Sequence, residues 1–190
     1  MSDLDQLLRK IEQAESTIQK SGNWHPERQG SIDIRIAVDG SWYHEGRAFQ
    51  RPALVKLFAS VLRKEETGYY LVTPVEKLAI QVDDAPFVAC LLEQVINDRR
   101  QALVFTTNLG EQVVADDRHP IRVDIDPVSN EPRPYILVRD QLEALIGRNA
   151  FYEMLNLAEA SERKGKQVLT INSMDTEFLL GTTDNPEQNK

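Results

Sequence analysis

One cysteine, Cys90, in 190 residues excludes an internal disulfide and any metal site built from cysteines alone. Set in the apolar run of residues 87–96, it reads as a small buried hydrophobe rather than a reactive thiol. Histidine is scarce too: His25, His44 and His119 stand far apart, which argues against a zinc enzyme. No Gly-x-x-x-x-Gly-Lys loop, Gly-x-Ser-x-Gly elbow or dinucleotide fingerprint occurs. No apolar run approaches the roughly 20 residues of a membrane span, and the N-terminus lacks the apolar core of a secretory signal. A cytoplasmic chain without a membrane partner is therefore expected. Positive charge is in deficit, with 22 Lys and Arg against 30 Asp and Glu, a formal charge of −8. That balance disfavours long nucleic acid as a partner. With no catalytic signature, no metal site and no certain cofactor, the chain reads as a binding protein before it reads as an enzyme.

What is present is patterned. Ile32, Ile34, Ile36 and Val38 alternate with polar or small residues, the period of a strand with one buried face. Asp39-Gly40 supplies a tight hairpin turn, Trp42 and Tyr43 begin the return strand, and Gly46 breaks it. From Pro52 the period becomes helical, with Leu54, Val55, Leu57, Phe58, Val61 and Leu62 on one face. Upstream, Leu4, Leu7, Leu8, Ile11, Ala14 and Ile18 predict an amphipathic helix over residues 3–19, docked on its own core or on a partner. Residues 69–72 read as a strand. Residues 75–82 continue as an edge strand or, over 74–79, as a helical turn. Asp83-Asp84-Ala85-Pro86 breaks the pattern. Strands are expected over 102–106, 112–115, 121–125 and 134–138, then a helix over 140–160 that Gly165 ends, and a last hairpin over 167–180. Arg51, Leu54, Leu57 and Arg139, Leu142, Leu145 repeat one spacing, a weak sign of duplication. The expected division is 1–82, 83–180 and a disordered tail at 181–190.

Several side chains carry candidate chemistry. Trp42 beside His44, just past a turn, could stack on a base and bond its edge; the bland alternative is a core Trp and a solvent-facing His. Arg51, Arg139 and Arg148 would converge on an anion if the helices they start or line face each other, or else form salt bridges with Glu143, Asp140 or Glu76. Thr73, Glu76 and Lys77 straddle a proline break and would form a rim. Asp124, Asp126, Asn130 and Glu131 superficially suggest a calcium loop, but the required Gly and Glu offsets are missing.

Longer motifs carry a family resemblance. Gly-Ser-Ile-Asp-Ile-Arg-Ile-Ala-Val-Asp-Gly-Ser-Trp-Tyr-His-Glu-Gly (30–46) resembles the signature of the bacterial domain of unknown function 1285. So do Leu-Val-Lys-Leu-Phe-Ala-Ser-Val-Leu (54–62), Tyr-Leu-Val-Thr-Pro-Val-Glu-Lys (70–77) and Val-Asp-Asp-Ala-Pro-Phe-Val-Ala (82–89). Phe-Thr-Thr-Asn (105–108), Pro-Tyr-Ile-Leu-Val-Arg-Asp-Gln-Leu-Glu-Ala-Leu-Ile-Gly-Arg (134–148) and Phe-Tyr-Glu (151–153) continue it. The resemblance implies an α+β protein of two related halves, antiparallel strands packed on helices, the second superficially like a pleckstrin-homology domain. It also implies a nucleotide-type ligand between the halves, where Tyr135 would join the residues above, and a role in signalling or stress response. The polar close Asn172-Ser173-Met174-Asp175 departs from the aromatic, glycine-rich hairpin that the family suggests. The leading expectation is a non-catalytic protein for a nucleotide or other phosphate-bearing small molecule. A protein-interaction adaptor, with a protein partner or a second copy, is the alternative, and an enzyme with an unfamiliar site comes third.

Overall fold

Alternating burial shapes most of the chain into strands. The computed structural model describes Leu7, residues 24–97 and residues 100–184. Leu7 is helical and fully buried; the rest of the helix expected over residues 3–19 lies outside the described residues. Among the described residues one compact unit runs to Pro86 and takes in Asp140–Leu142; the other comprises Phe87–Arg139 and resumes at Glu143.

The first unit holds β1 (Arg28–Ile36), β2 (Trp42–His44), β3 (Arg47–Ala48), α1 (Pro52–Ser60), β4 (Leu62–Glu65), β5 (Gly68–Val72) and β6 (Glu76–Val82). Ile34 and Ile36 are buried while Asp33 and Arg35 are exposed, so the period-two reading holds; Val38 lies beyond the strand and is exposed. The β1–β2 turn is closed by the Asp39 carboxylate accepting the Ser41 N–H at 2.9 Å. Pro52 opens α1, where its missing N–H leaves no bond unmade. Val55, Phe58 and Ala59 are the face α1 buries. Phe58 stacks on Trp42 with ring centres 6.4 Å apart and meets Phe49 edge-on at 5.7 Å.

The second unit holds β7 (Phe87–Asn97), β8 (Arg100–Thr107), β9 (Gln112–Val114), β10 (Ile121–Ile125), β11 (Pro132–Arg139), β12 (Leu142–Ile146) from its second residue on, α2 (Arg148–Asn156), β13 (Glu159–Arg163), β14 (Lys166–Ser173) and β15 (Thr176–Asp184). Phe87, Ala89, Leu103, Phe105, Ile136 and Met154 are all at or below 1% exposure and form its core. β13, β14 and β15 make a separate three-stranded antiparallel sheet.

The two six-stranded sheets share a plan. Their orders are β3-β2-β1-β6-β5-β4 and β10-β11-β12-β7-β8-β9. Read from opposite ends these are the same permutation. In each, two three-stranded meanders meet where the first strand pairs parallel with the sixth, β1 with β6 and β7 with β12. The helix differs: α1 follows the third strand of its sheet, whereas α2 follows the sixth. The protein is thus an α+β chain of two related halves, dominated by strands.

Four expectations need correction. Residues 140–160 do not form one helix: Leu142, Ala144 and Ile146 are all buried and pair in β12, so a period of two overrides the leucine spacing. Asp140, with φ 48°, turns the chain straight from β11 into β12, and the apparent Arg139-Leu142-Leu145 repeat of α1 is therefore a strand. Residues 76–82 are neither helical nor an edge, because β6 lies between β1 and β5. Cys90 is exposed, sitting where β7 bulges between Ala89 and Leu91. Burial nonetheless pushes its thiol pKa upward. β15 runs through Asp184, into the stretch expected as a tail; residues 185–190 lie outside the described residues.

Gly147 marks the start of α2 rather than a weak point within a longer helix. Its N–H bonds the Ala89 carbonyl at 2.9 Å, and a Cβ there would sit 3.2 Å from that same oxygen. A side chain there would need the Ala89 backbone to give by a few tenths of an ångström, so glycine suits the close approach of α2 to β7.

Candidate functional site

The candidate residues of the first unit scatter over different tasks. Trp42 is 2% exposed and packed in the core, and its indole N–H finds no acceptor among the described residues. His44 is half-buried and tilts toward Phe49 at 6.3 Å. Arg51 is exposed and precedes α1, its carbonyl accepting the N–H groups of Leu54 and Val55. Thr73 is fully buried, its Oγ1 accepting the Glu76 N–H at 3.1 Å, so it shapes the turn into β6. Glu76 is 3% exposed with the Arg28 guanidinium 3.6 Å away. Lys77 bonds Glu65 at 2.9 Å and lies 4.5 Å above the Tyr70 ring. Its ammonium is the main reason the Glu65 carboxyl titrates below its ordinary range.

In the second unit Tyr135 is buried beneath the Arg122 guanidinium, 4.1 Å from its ring centre. Arg122 is itself forked onto Glu143 at 2.6 and 2.9 Å. Arg139 ends β11, bonds Glu111 at 2.7 Å and covers Phe87 at 5.0 Å. Those arginines have structural partners. Arg148 is different. It opens α2, is exposed, has no ion pair among the described residues, and lines a cavity.

That cavity, about 470 Å³, lies between the β10–β11 loop and α2. Its polar wall is Asp126, Ser129, Glu131, Arg133, Arg148 and Tyr152. A second cavity of about 630 Å³ shares Pro132, Phe151 and Leu155 with the first and continues toward β14 and β15. Its wall is largely aliphatic, including Val123, Ile125, Val168, Leu169, Leu179 and Leu180. Gln167 and Thr182 are the hydrogen-bonding side chains on that wall. Each volume falls in the roughly 300–1,000 Å³ range of small-molecule pockets. Together they form a groove in the C-terminal half, with charged side chains on a mixed wall at one end and a largely aliphatic wall at the other.

The polar end is organised by one carboxylate. Asp126 Oδ1 accepts the N–H groups of Val128 and Ser129, each at 2.9 Å, and Oδ2 takes the Arg133 guanidinium at 3.2 Å. These bonds, the Ser129 N–H foremost, hold its pKa at about 2, below the ordinary 3.8. The sign follows: a carboxyl depressed in the folded state contributes stability above pH 3.8 that is lost as pH falls through 2. A carboxyl-carbon NMR titration of Asp126 is expected to give a midpoint near 2, with the loop amides of Val128 and Ser129 shifting in step. A midpoint near 3.8 would mean that this loop closure is absent in solution.

Sequence reasoning missed Asp126, Arg133, Phe151 and Leu155 as one site, since they converge only once β10, β11 and α2 are in place. The available signals were the Pro132-Arg133-Pro134 step, which stiffens the loop exit, and the 151–153 motif. Among the described residues no group of three His, Cys, Asp or Glu side chains is disposed to hold a metal. Nor is any of their helices long and apolar enough to cross a membrane.

Comparison with known proteins adds the following. Residues 21–85 match the domain of unknown function (DUF1285), N-terminal domain, and residues 86–180 the protein of unknown function (DUF1285), C-terminal domain. A crystal structure of a DUF1285 family protein from Silicibacter pomeroyi DSS-3 is 44% identical, with a TM-score of 0.77, covering 89% of this chain and 94% of that one. A DUF1285 family protein from Shewanella baltica OS155 is 27% identical, with a TM-score of 0.52, covering 65% of this chain and 90% of that one. No curated protein matches the chain.

Proposed function

Since the chain belongs to the DUF1285 family, whose N- and C-terminal domains it carries in order, we propose that it is a non-catalytic small-molecule-binding protein. Its site is the groove of the C-terminal half, and its ligand carries a phosphate or another anionic group, nucleotides included. The observation that carries this reading is Arg148: a guanidinium on a cavity wall, exposed and with no ion pair among the described residues. Nearby carboxylates do not pre-empt it, since Asp126 is engaged by two backbone N–H groups and Arg133. Ligand occupancy would be the input for a role in signalling.

Arg148→Ala is expected to weaken binding of such a ligand by about tenfold to a hundredfold, the value of a charged hydrogen bond at roughly 1.5–3 kcal/mol. Its melting temperature without ligand should match that of the parent, because the side chain is exposed. Thermal-shift screening against mononucleotides and phosphate compounds, followed by calorimetry on both proteins, tests this. Equal affinity for parent and variant would remove the site from Arg148.

The adaptor reading keeps one observation in its favour. Leu91, Val95 and Ile96 of β7 are 60%, 46% and 70% exposed, more apolar surface than a solvated strand needs.

A further inference from the structure

We propose that the ligand of the groove is an amphiphile: an unbranched aliphatic chain laid along the second cavity, with its phosphate or carboxylate head at Arg148. The inference rests on the reading of the groove as a ligand site and specifies the class of molecule that fills it. Two observations carry it. The first is the segregation of the walls. The head end has charged and hydroxyl side chains, whereas the far end is walled by Val123, Ile125, Val168, Leu169, Leu179 and Leu180.

A nucleoside in that far end would leave its base and ribose polar groups facing branched aliphatic side chains, with Gln167 and Thr182 as the few hydrogen-bonding partners. Buried polar groups without partners cost free energy; methylenes do not. Phe151, at the junction of the cavities, is the one aromatic ring on the second wall, so beyond that junction the wall offers a base no ring to stack on. Aliphatic chain, by contrast, needs what this wall offers.

The second observation is what remains uncovered. Ile125 and Leu179, on strands β10 and β15, are 57% and 53% exposed although both line the cavity. Their apolar area would leave water when a chain lies between them, at about a threefold to fourfold gain in affinity per methylene. The two cavities share Pro132, Phe151 and Leu155. Head and chain can therefore belong to one molecule.

The test uses the full chain and a series of n-alkyl phosphates from butyl to dodecyl, kept below their micelle concentrations, with adenosine monophosphate and inorganic phosphate alongside. The expected result is an affinity rising about threefold to fourfold per methylene and then levelling as the cavity fills. Leu179→Glu should flatten that rise while leaving the shortest phosphate bound as before. Ile125→Glu is the independent second variant, on another strand. Arg148→Ala should weaken every member by one common factor.

Affinity independent of chain length, with short phosphates still dependent on Arg148, would overturn the amphiphile and leave the anion site standing. Failure of every compound to bind would overturn both. Binding to vesicles containing phosphatidylglycerol without binding to monomeric alkyl phosphates would overturn the small-molecule occupant in favour of a lipid surface.

Discussion

Ser173→Ala is expected to lower stability by roughly 2–6 kcal/mol, an effect far larger than an alanine for a serine normally produces. Ser173 is fully buried at the end of β14. Its hydroxyl donates to the Ala115 carbonyl at 2.6 Å and accepts the Leu103 N–H at 2.9 Å. Leu103, in β8, and Ala115, just after β9, are themselves fully buried and already bonded to one another, Ala115 N–H to Leu103 carbonyl at 2.9 Å. The hydroxyl thus ties β14 of the three-stranded sheet to β8 and to the residue after β9 in the six-stranded one, beside the bonds that Gln101 makes to Asn172 and Met174. Without it, two buried backbone groups are left unpaired, at about 1–3 kcal/mol each. For a chain of this size the melting temperature should fall by about 5–15 °C. Ser173→Thr, which keeps the hydroxyl, separates loss of the bond from loss of the residue in urea melts. A Ser173→Ala protein within 0.5 kcal/mol of the parent would show that other groups satisfy these atoms.

Phe58→Ala is expected to cost about 3–5 kcal/mol, the range for a buried aromatic emptied to a cavity. Phe58 is fully buried and supplies the contact that α1 makes with both Trp42 and Phe49. Tryptophan emission reports on it, because Trp42 would lose its stacking partner and shift toward the red. Denaturant midpoints should move without a change in slope. A loss below about 1 kcal/mol would mean that α1 repacks onto the sheet without Phe58.

The sequence was most legible where one periodicity acted alone. The 32–36 alternation, the Asp39-Gly40 turn and the proline-opened α1 were all read in place. Residues 142–146 misled because Leu142, Leu145 and Ile146 satisfy a helical face as well as a strand. What decides between them is the parallel pairing with β7, a contact with residues more than fifty positions earlier that no local window contains. Cys90 misled through the β-bulge: one extra residue turns an apolar run inside out at that point. The polar close at Asn172-Ser173-Met174-Asp175 looked like a departure from the family, yet Ser173 there bridges two sheets. As for the site, Arg148 was legible as a basic residue within a long motif. Its surroundings were not, because the groove joins residues from 123 to 182 through six strands and a helix. Trp42, open in the sequence to either a ligand-stacking or a core role, takes the core one and stacks on Phe58.

The parallel seam in each six-stranded sheet has a kinetic consequence. Each three-stranded meander is built from neighbours in sequence and can form on the microsecond scale of hairpins. The seam cannot. It must bring Arg28 beside Glu76 in one half and Phe87 beside Ala144 in the other, after everything between has been threaded. Loop closure is costly before such contacts repay it. The slow step of folding is therefore expected to be the docking of meanders, twice in one chain, with two strand edges open to the wrong meander until each seam closes.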